Sequence, residues 1–166
     1  MTSLPLLSES VFKQSVDALT LVSVDLCVTD AAGNLLLGKR NNAPARHWWF
    51  TPGARIRKNE SIAQALARVM VDELALPVEC AAHATLMGAW DHFYPDSAFD
   101  AGISTHYVNL PHWLRLTDEQ VAAMQLPQGA GEQHGSWQWL PLAQAARDSA
   151  VHEYVQVYAR WLLERL

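Results

Sequence analysis

Between Thr51 and Leu76 the chain reads TPGARIRKNESIAQALARVMVDELAL, a Pro-Gly turn and a short polar connection followed by a stretch that carries Arg68, Asp72 and Glu73 near its end. Ser61 with Gln64 forms a capping box, and Ile62, Leu66, Met70 and Leu74 recur at helical spacing. These signals predict a helix over 61–74 with that stripe turned to the core. A helix beneath a tight turn and ending in acids constrains the fold on both sides. The chain must leave a strand at Pro52, and other elements must cover the stripe.

The flanking sequence meets those demands. LTLVSVDLCVTD (19–30) is β-branched and partly alternating, AAGN supplies turn residues and LLLGKR follows, which predicts a hairpin. HWWFTP reads as a short aromatic strand ended by Pro52. HATLMGAWDHF and STHYVNL are strand-like and are separated by the loop YPDSAFDAGI. TDEQVAAM reads as a short helix, QLPQGAGEQHGS as a loop and WQWL as a strand. VHEYVQVYARWLLERL reads as a terminal amphipathic helix with Val151, Val155, Tyr158 and Leu162 on one face. The expected fold class is α/β in the broad α+β sense, a mixed β-sheet sandwiched between helices. No repeat or linker divides the 166 residues, so one domain over 1–166 is expected, and 50% hydrophobic composition suffices for its core.

Charge narrows the partners. At a net charge of -5 there is no global positive field for nucleic acid or an anionic membrane, so any bound anion must be gripped locally. The opening MTSLPLLSESVFKQS lacks a basic start followed by a long apolar run, and no apolar stretch approaches bilayer length, which points to a cytoplasmic protein. Cys27 and Cys80 lack metal-knuckle spacing and are expected to be buried thiols.

The 51–76 stretch resembles the Nudix box, G-x5-E-x7-R-E-U-x-E-E-x-G-U with U aliphatic. Glu60 and Arg68 match, and Asp72 and Glu73 fill the acidic pair. Ala54, Val69 and Ala75 stand where the box has Gly, Glu and Gly. The resemblance gives the pattern a physical sense: the Pro52-Gly53 turn exposes backbone oxygens beside carboxylates that share a divalent cation with them, and hard oxygen ligands suit magnesium. Positions 69, 72 and 73 fall on one helical face, so Asp72 and Glu73 can aim at one point. A solvated acidic helix end is the commoner origin of a lone Asp-Glu pair, but the turn, Glu60 and Arg68 at their offsets outweigh it.

Val69 offers no proton acceptor where most Nudix enzymes have a glutamate that helps activate water against phosphorus. One branch shares this loss, the GDP-mannose mannosyl hydrolases, which displace the nucleoside diphosphate from the anomeric carbon. The resemblance to that branch extends over LVSVDLCVTDAAGNLLLGKRNNAPARHWWFTPGARIRKNE, MGAWDHFYPD, STHYVNL and GEQHGSWQWL. It implies a magnesium site on the Gly53 carbonyl, the Glu73 carboxylate and the Gln133 side-chain oxygen, with Asp72 facing solvent or touching the ligands indirectly. It implies His134, on the GAGEQHGS loop, as general base, and Arg40 and Arg55 as the residues that hold the diphosphate and stabilise its departure. Arg68 is placed near substrate, though ion pairing that braces the carboxylates is its stronger role.

Asp25, His92 and Tyr107 match residues of the sugar or base pocket, and an unpaired Asp25 in an apolar strand would be costly, so a polar partner is expected. His47 and His106 are read as satisfied polar residues. Most of the seven tryptophans are expected in the core, with Trp48, Trp49 or Trp90 bordering the nucleotide. Pro111 in LPHWLRL and the QGAG insertion before Gln133 depart from the branch. Its members form dimers, so a homodimer is expected, with YPDSAFDAG as the segment crossing between subunits.

The leading expectation is magnesium-dependent hydrolysis of GDP-mannose or a similar nucleotide sugar with inversion. The alternatives are a Nudix pyrophosphohydrolase attacking phosphorus, and a catalytically silent domain that senses a nucleotide sugar.

Overall fold

The computed structural model describes residues 6–166, so the opening of the MTSLPLLSESVFKQS reading lies outside the described residues. Chain order runs α1 (Glu9–Ala18), β1 (Leu21–Thr29), β2 (Asn34–Arg40), β3 (Trp49–Phe50), β4 (Gly53–Arg55) and α2 (Ile62–Leu74). A short 3-10 segment, Val78–His83, leads to β5 (Thr85–Leu86), β6 (Trp90–Tyr94), β7 (Thr105–Arg115), α3 (Asp118–Ala123), β8 (His134–Pro141), α4 (Leu142–Ala145) and α5 (Glu153–Leu163). Helix α1 and strand β4 have no counterpart in the sequence reading.

β1 is apolar because both its faces and both its edges are used. On one edge it runs parallel to β7 from Leu21 opposite Tyr107 to Thr29 opposite Arg115. On the other, the expected hairpin holds only where Thr29 meets Leu35. Beyond that point β2 splays away, and β4 pairs instead, with Asp25 opposite Gly53. β2 continues the sheet through β3 and β8. Strand alternation sends Val24, Leu26 and Val28 into a core with Leu66, Val69, Met70 and Leu74 of α2. The opposite face, with Cys27, Leu35 and Leu37, packs on Val155, Tyr158 and Leu162 of α5. Each such fully buried aliphatic side chain contributes about 1.5–3 kcal/mol. Asp25 therefore points towards α5, which decides its chemistry below. Val151 is also buried but precedes α5, bridging to Trp49.

The capping box forms as read: Ser61 Oγ accepts from the Gln64 N–H at 3.2 Å and Gln64 Oε1 from the Ser61 N–H at 2.8 Å. The expected stripe is buried at Leu66, Met70 and Leu74, and it differs at its start and in its width. Ile62 is 44% exposed whereas Val69 is 1% exposed. The helix lies over a sheet rather than against a narrow seam, so its contact face is wide enough to take Ala65 and Val69. Asp72 is exposed while Glu73 is turned inward, so the two acids do not converge.

Pro111 lies inside β7 without disrupting it. The β6 pairing ends at Asn109 and the β5 pairing begins at His112, so Pro111 falls where that edge needs no donor, and its carbonyl still accepts from Met87 at 2.9 Å.

α2 ends on Ala75 at φ 53°, the left-handed conformation that favours glycine. Ala75→Gly is expected to stabilise the protein by roughly 1 kcal/mol, raising the melting temperature by about 2–4 °C. An unchanged or lower value in calorimetry would show that the Ala75 methyl makes a compensating contact.

Candidate active site

Gly53, Glu73, Gln133 and His134 meet where the start of β4, the end of α2 and the start of β8 come together; the turn expected at Pro52-Gly53 is not made, because the Pro52 carbonyl accepts from the Leu26 N–H at 2.8 Å and Gly53 continues in β4 opposite Asp25. The Gln133 side-chain amide lies 3.3 Å from the Gly53 carbonyl oxygen. His134 Nδ1 lies 3.6 Å from Glu73 Oε2. A side chain at position 53 would drive a Cβ into Asp25 Oδ1 and the Val24 carbonyl, so only glycine lets β4 pass this close to β1. Position 38 is constrained likewise, because the His134 ring occupies the space a Cβ would take.

Among the described residues no cluster of three His, Cys, Asp or Glu side chains is placed to hold a metal. The donors at this junction are of another kind, one carboxylate, one backbone carbonyl and one amide. Glu73 Oε2 is buried with no hydrogen-bond partner. Burial raises the Glu73 carboxyl to about 8, against the lowering effects of Arg40 and the Gly53 N–H, so an ionised Glu73 needs a cation beside it. An orphaned carboxylate oxygen next to a carbonyl and an amide fits magnesium, which takes few protein ligands and completes its shell with water and substrate oxygens.

His134 is not on a loop. It opens β8, pairs with Arg40 across a bulge in β2, and is 2% exposed. The bulge and the Trp137 ring, 4.5 Å away, enclose it. Burial, with the charge of Arg40, lowers its pKa to about 3, so the ring is neutral. The segment carrying the QGAG insertion is tied down on both sides: the Asn41 side chain donates to the Gly129 and Glu132 carbonyls, both at 2.8 Å, and Trp137 Nε1 donates to the Pro127 carbonyl at 2.7 Å.

Beside this junction opens a cleft of about 330 Å³. Asp25, Arg40, Arg55, His92 and Tyr107 all line it, as do Gly53 and Gln133. Glu73 and His134 are not part of the lining. Arg40 donates to the Pro44 carbonyl at 3.3 Å while its buried Nε has no partner. Arg68 is outside the cleft. It forms a two-pronged pair with Glu60, at 2.7 and 2.9 Å, and donates to the Arg55 carbonyl at 3.0 Å, so it braces the strand that carries Arg55. Trp48, Trp49 and Trp90 do not line the cleft; Trp49 and Trp90 pack on the α5-side core.

The cleft floor is a polar network. The Tyr158 hydroxyl on α5 lies 3.0 Å from Asp25 Oδ2, 2.9 Å from His92 Nε2 and 3.1 Å from Asn109 Oδ1. This is the polar partner Asp25 requires. Burial still raises the Asp25 carboxyl to about 6 against those hydrogen bonds, and it lowers His92 to about 3. Asn109 and Thr51, buried in the lining, and Tyr158, buried beneath it, were not singled out from the sequence as site residues. Asn109 offered a signal, a polar residue in the apolar run HYVNL, as Asp25 did in its own strand. Tyr158 offered none, since its helical spacing marks it only as core.

The 95–104 segment folds back on its own chain, with Ala98 in the cleft lining and Phe99 against Phe12 of α1.

A mixed sheet between helices, with an acid-ended helix beside an arginine-lined cleft, is the arrangement of a Nudix hydrolase, a class that generally uses divalent metal ions. Residues 19–161 match the NUDIX domain, and the chain belongs to the Nudix family. The low-salt glycan biosynthesis protein Agl8 of Haloferax volcanii is 39% identical over 101 residues, which make up 61% of this chain and 62% of that protein. The match thus spans less than two thirds of that relative's length. The MutT protein of Methanosarcina mazei Go1 superposes with a TM-score of 0.66 at 16% identity, covering 87% of this chain and 94% of that one. The NUDIX domain of Shewanella oneidensis NrtR, solved in complex with ADP ribose, gives 0.63 at 18% identity over 96% and 99%. At those identities the two structures establish the fold. Among the described residues no helix is long and apolar enough to cross a membrane.

Proposed function

We propose that this protein, a single domain over residues 1–166, is a magnesium-dependent hydrolase of GDP-mannose or a similar nucleotide sugar, in which water attacks the anomeric carbon with inversion. The observation that carries this reading is the pairing of Val69 with His134. Val69 is sunk in the core beside Leu66 and Met70, so that position of α2 offers no base, and a neutral imidazole lies 3.6 Å from Glu73. The name of the Haloferax volcanii relative places that protein in glycan biosynthesis, a setting in which nucleotide sugars are substrates.

Glu73, the Gly53 carbonyl and Gln133 would hold the cation, which when bound offsets the charge of the departing diphosphate. Arg40 and Arg55 clamp its oxygens from the cleft wall, since a guanidinium fork matches phosphate geometry. The Nδ1 side of the ring faces Glu73 at 3.6 Å, and Nε2, buried without a hydrogen-bond partner, is the nitrogen that takes the water proton. As that proton moves, the water oxygen bonds to the anomeric carbon, and the bond to the diphosphate breaks with its electron pair leaving on the diphosphate. One displacement inverts the centre.

Hydrolysis of GDP-mannose in oxygen-18 water with magnesium tests the reading. The label is expected on the released sugar. Label on a phosphate would assign the protein to the pyrophosphohydrolases, and binding without turnover of any nucleotide sugar would make it a sensor. A homodimer belongs to the same proposal, and sedimentation velocity at micromolar concentration checks it: a monomer would reject it.

A further inference from the structure

Helix α1 precedes the residues that match the NUDIX domain, and packing explains little of its position, for Val16 is its one buried residue. Its Phe12 nevertheless lines the cleft. There the Arg55 guanidinium lies over the ring face, 4.2 Å from the centroid, and Phe99 of the 95–104 segment meets the same ring edge-on at 5.2 Å and 86°. Among the described residues the Arg55 side chain has no hydrogen bond and no ion pair; only its backbone carbonyl is engaged, by Arg68. The backbone of Arg55 is thus fixed from below and its fork is held from above by one aromatic ring.

We propose that Phe12 is a positioning residue that holds the Arg55 fork over the cleft, so that the diphosphate of a bound nucleotide meets an arginine already in place. The inference rests on the reading of the ligand as a nucleoside diphosphate derivative. A free arginine side chain loses rotamer freedom when it grips phosphate, and a ring that restrains it beforehand removes part of that cost. The attraction between guanidinium and ring face supplies the restraint. α1 is then a wall added to the cleft for this purpose, and the 95–104 segment buttresses it through Phe99.

The test is calorimetric binding of GDP and of ADP, at saturating magnesium, to the full chain and to F12A, F12W, R55A and the double variant F12A/R55A. F12A should weaken both diphosphates by about threefold to tenfold, the span of a partly desolvated cation–π contact. F12W should bind as tightly as the native protein, because indole is the better cation partner. F12A/R55A should bind no more weakly than R55A alone, since the ring acts through the arginine. Equal binding by F12A and the native protein, a full additional loss in the double variant, failure of F12W to restore affinity, or weakening of one nucleotide only would each overturn the proposal. The last would mean that the ring reads the base. Binding needs no turnover, so failure to cleave nucleotide sugars would count against the function and not against the ring.

Discussion

Glu73→Gln is expected to lower turnover by more than about a hundredfold at ordinary magnesium concentrations, because a neutral amide removes the only carboxylate at the proposed cation site. The same substitution should leave the metal-free fold intact. A buried carboxylate without a cation is a cost to folding, and the amide keeps the shape without it. The two effects separate in a thermal-shift experiment. Magnesium at a hundred times its dissociation constant should stabilise the native protein by about 2.7 kcal/mol and leave the variant unmoved. Near-native turnover of the variant at low magnesium, or an undiminished magnesium shift, would remove Glu73 from the metal site.

Loss of His134 should be comparably severe. His134→Ala is expected to depress kcat by roughly a hundredfold to ten-thousandfold with little change in KM, the range for a lost general base. The imidazole also fills space against Gly38 and Trp137, so His134→Gln, which keeps most of that volume, serves as the packing control and should be equally inactive. The pH profile distinguishes the buried ring from an exposed one. An ordinary imidazole would give a rate rising with pH through about 6.5. Burial holds this one near 3, and the neutral form is the one that accepts a proton. The neutral fraction is therefore complete by about pH 5, and the rate should not depend on this group between pH 5 and 8. A nearby cation would push the ring's pKa further the same way. A native rate that climbs through 6.5 and loses that limb in His134→Gln would show that the ring works from an exposed position. Full activity in either variant would reject it as the base.

The sequence reading of His134 differed from the structure for a reason general to the fold. Gly, Gln and Glu around it signal a loop, and a strand signal begins only at Trp137. β8 extends back to His134 because β2 offers it a partner across the bulge at Gly38 and Arg40, and no local pattern records a pairing between residues so far apart. The hairpin reading of β1 and β2 has the same limit. AAGN correctly brings Thr29 to Leu35, yet the remainder of β1 pairs with β4 and β7, whose claim depends on burial of two faces. Trp49 and Trp90 fell short of the cleft because their rings cover the α5 face of the sheet, and Trp48 is 40% exposed.

By itself the sequence determined the elements whose causes are local: the capped helix over 61–74 and the core status of Cys27, Cys80 and the α5 face. Only the tertiary structure decided which polar groups share an environment. Tyr158 meets Asp25 because strand alternation aims position 25 at α5, Asp72 leaves the site because the sheet claims Val69, and Phe12 reaches Arg55 from outside the matched domain. Each of these depends on distances across the sheet, which hydrophobic periods and turn residues do not encode.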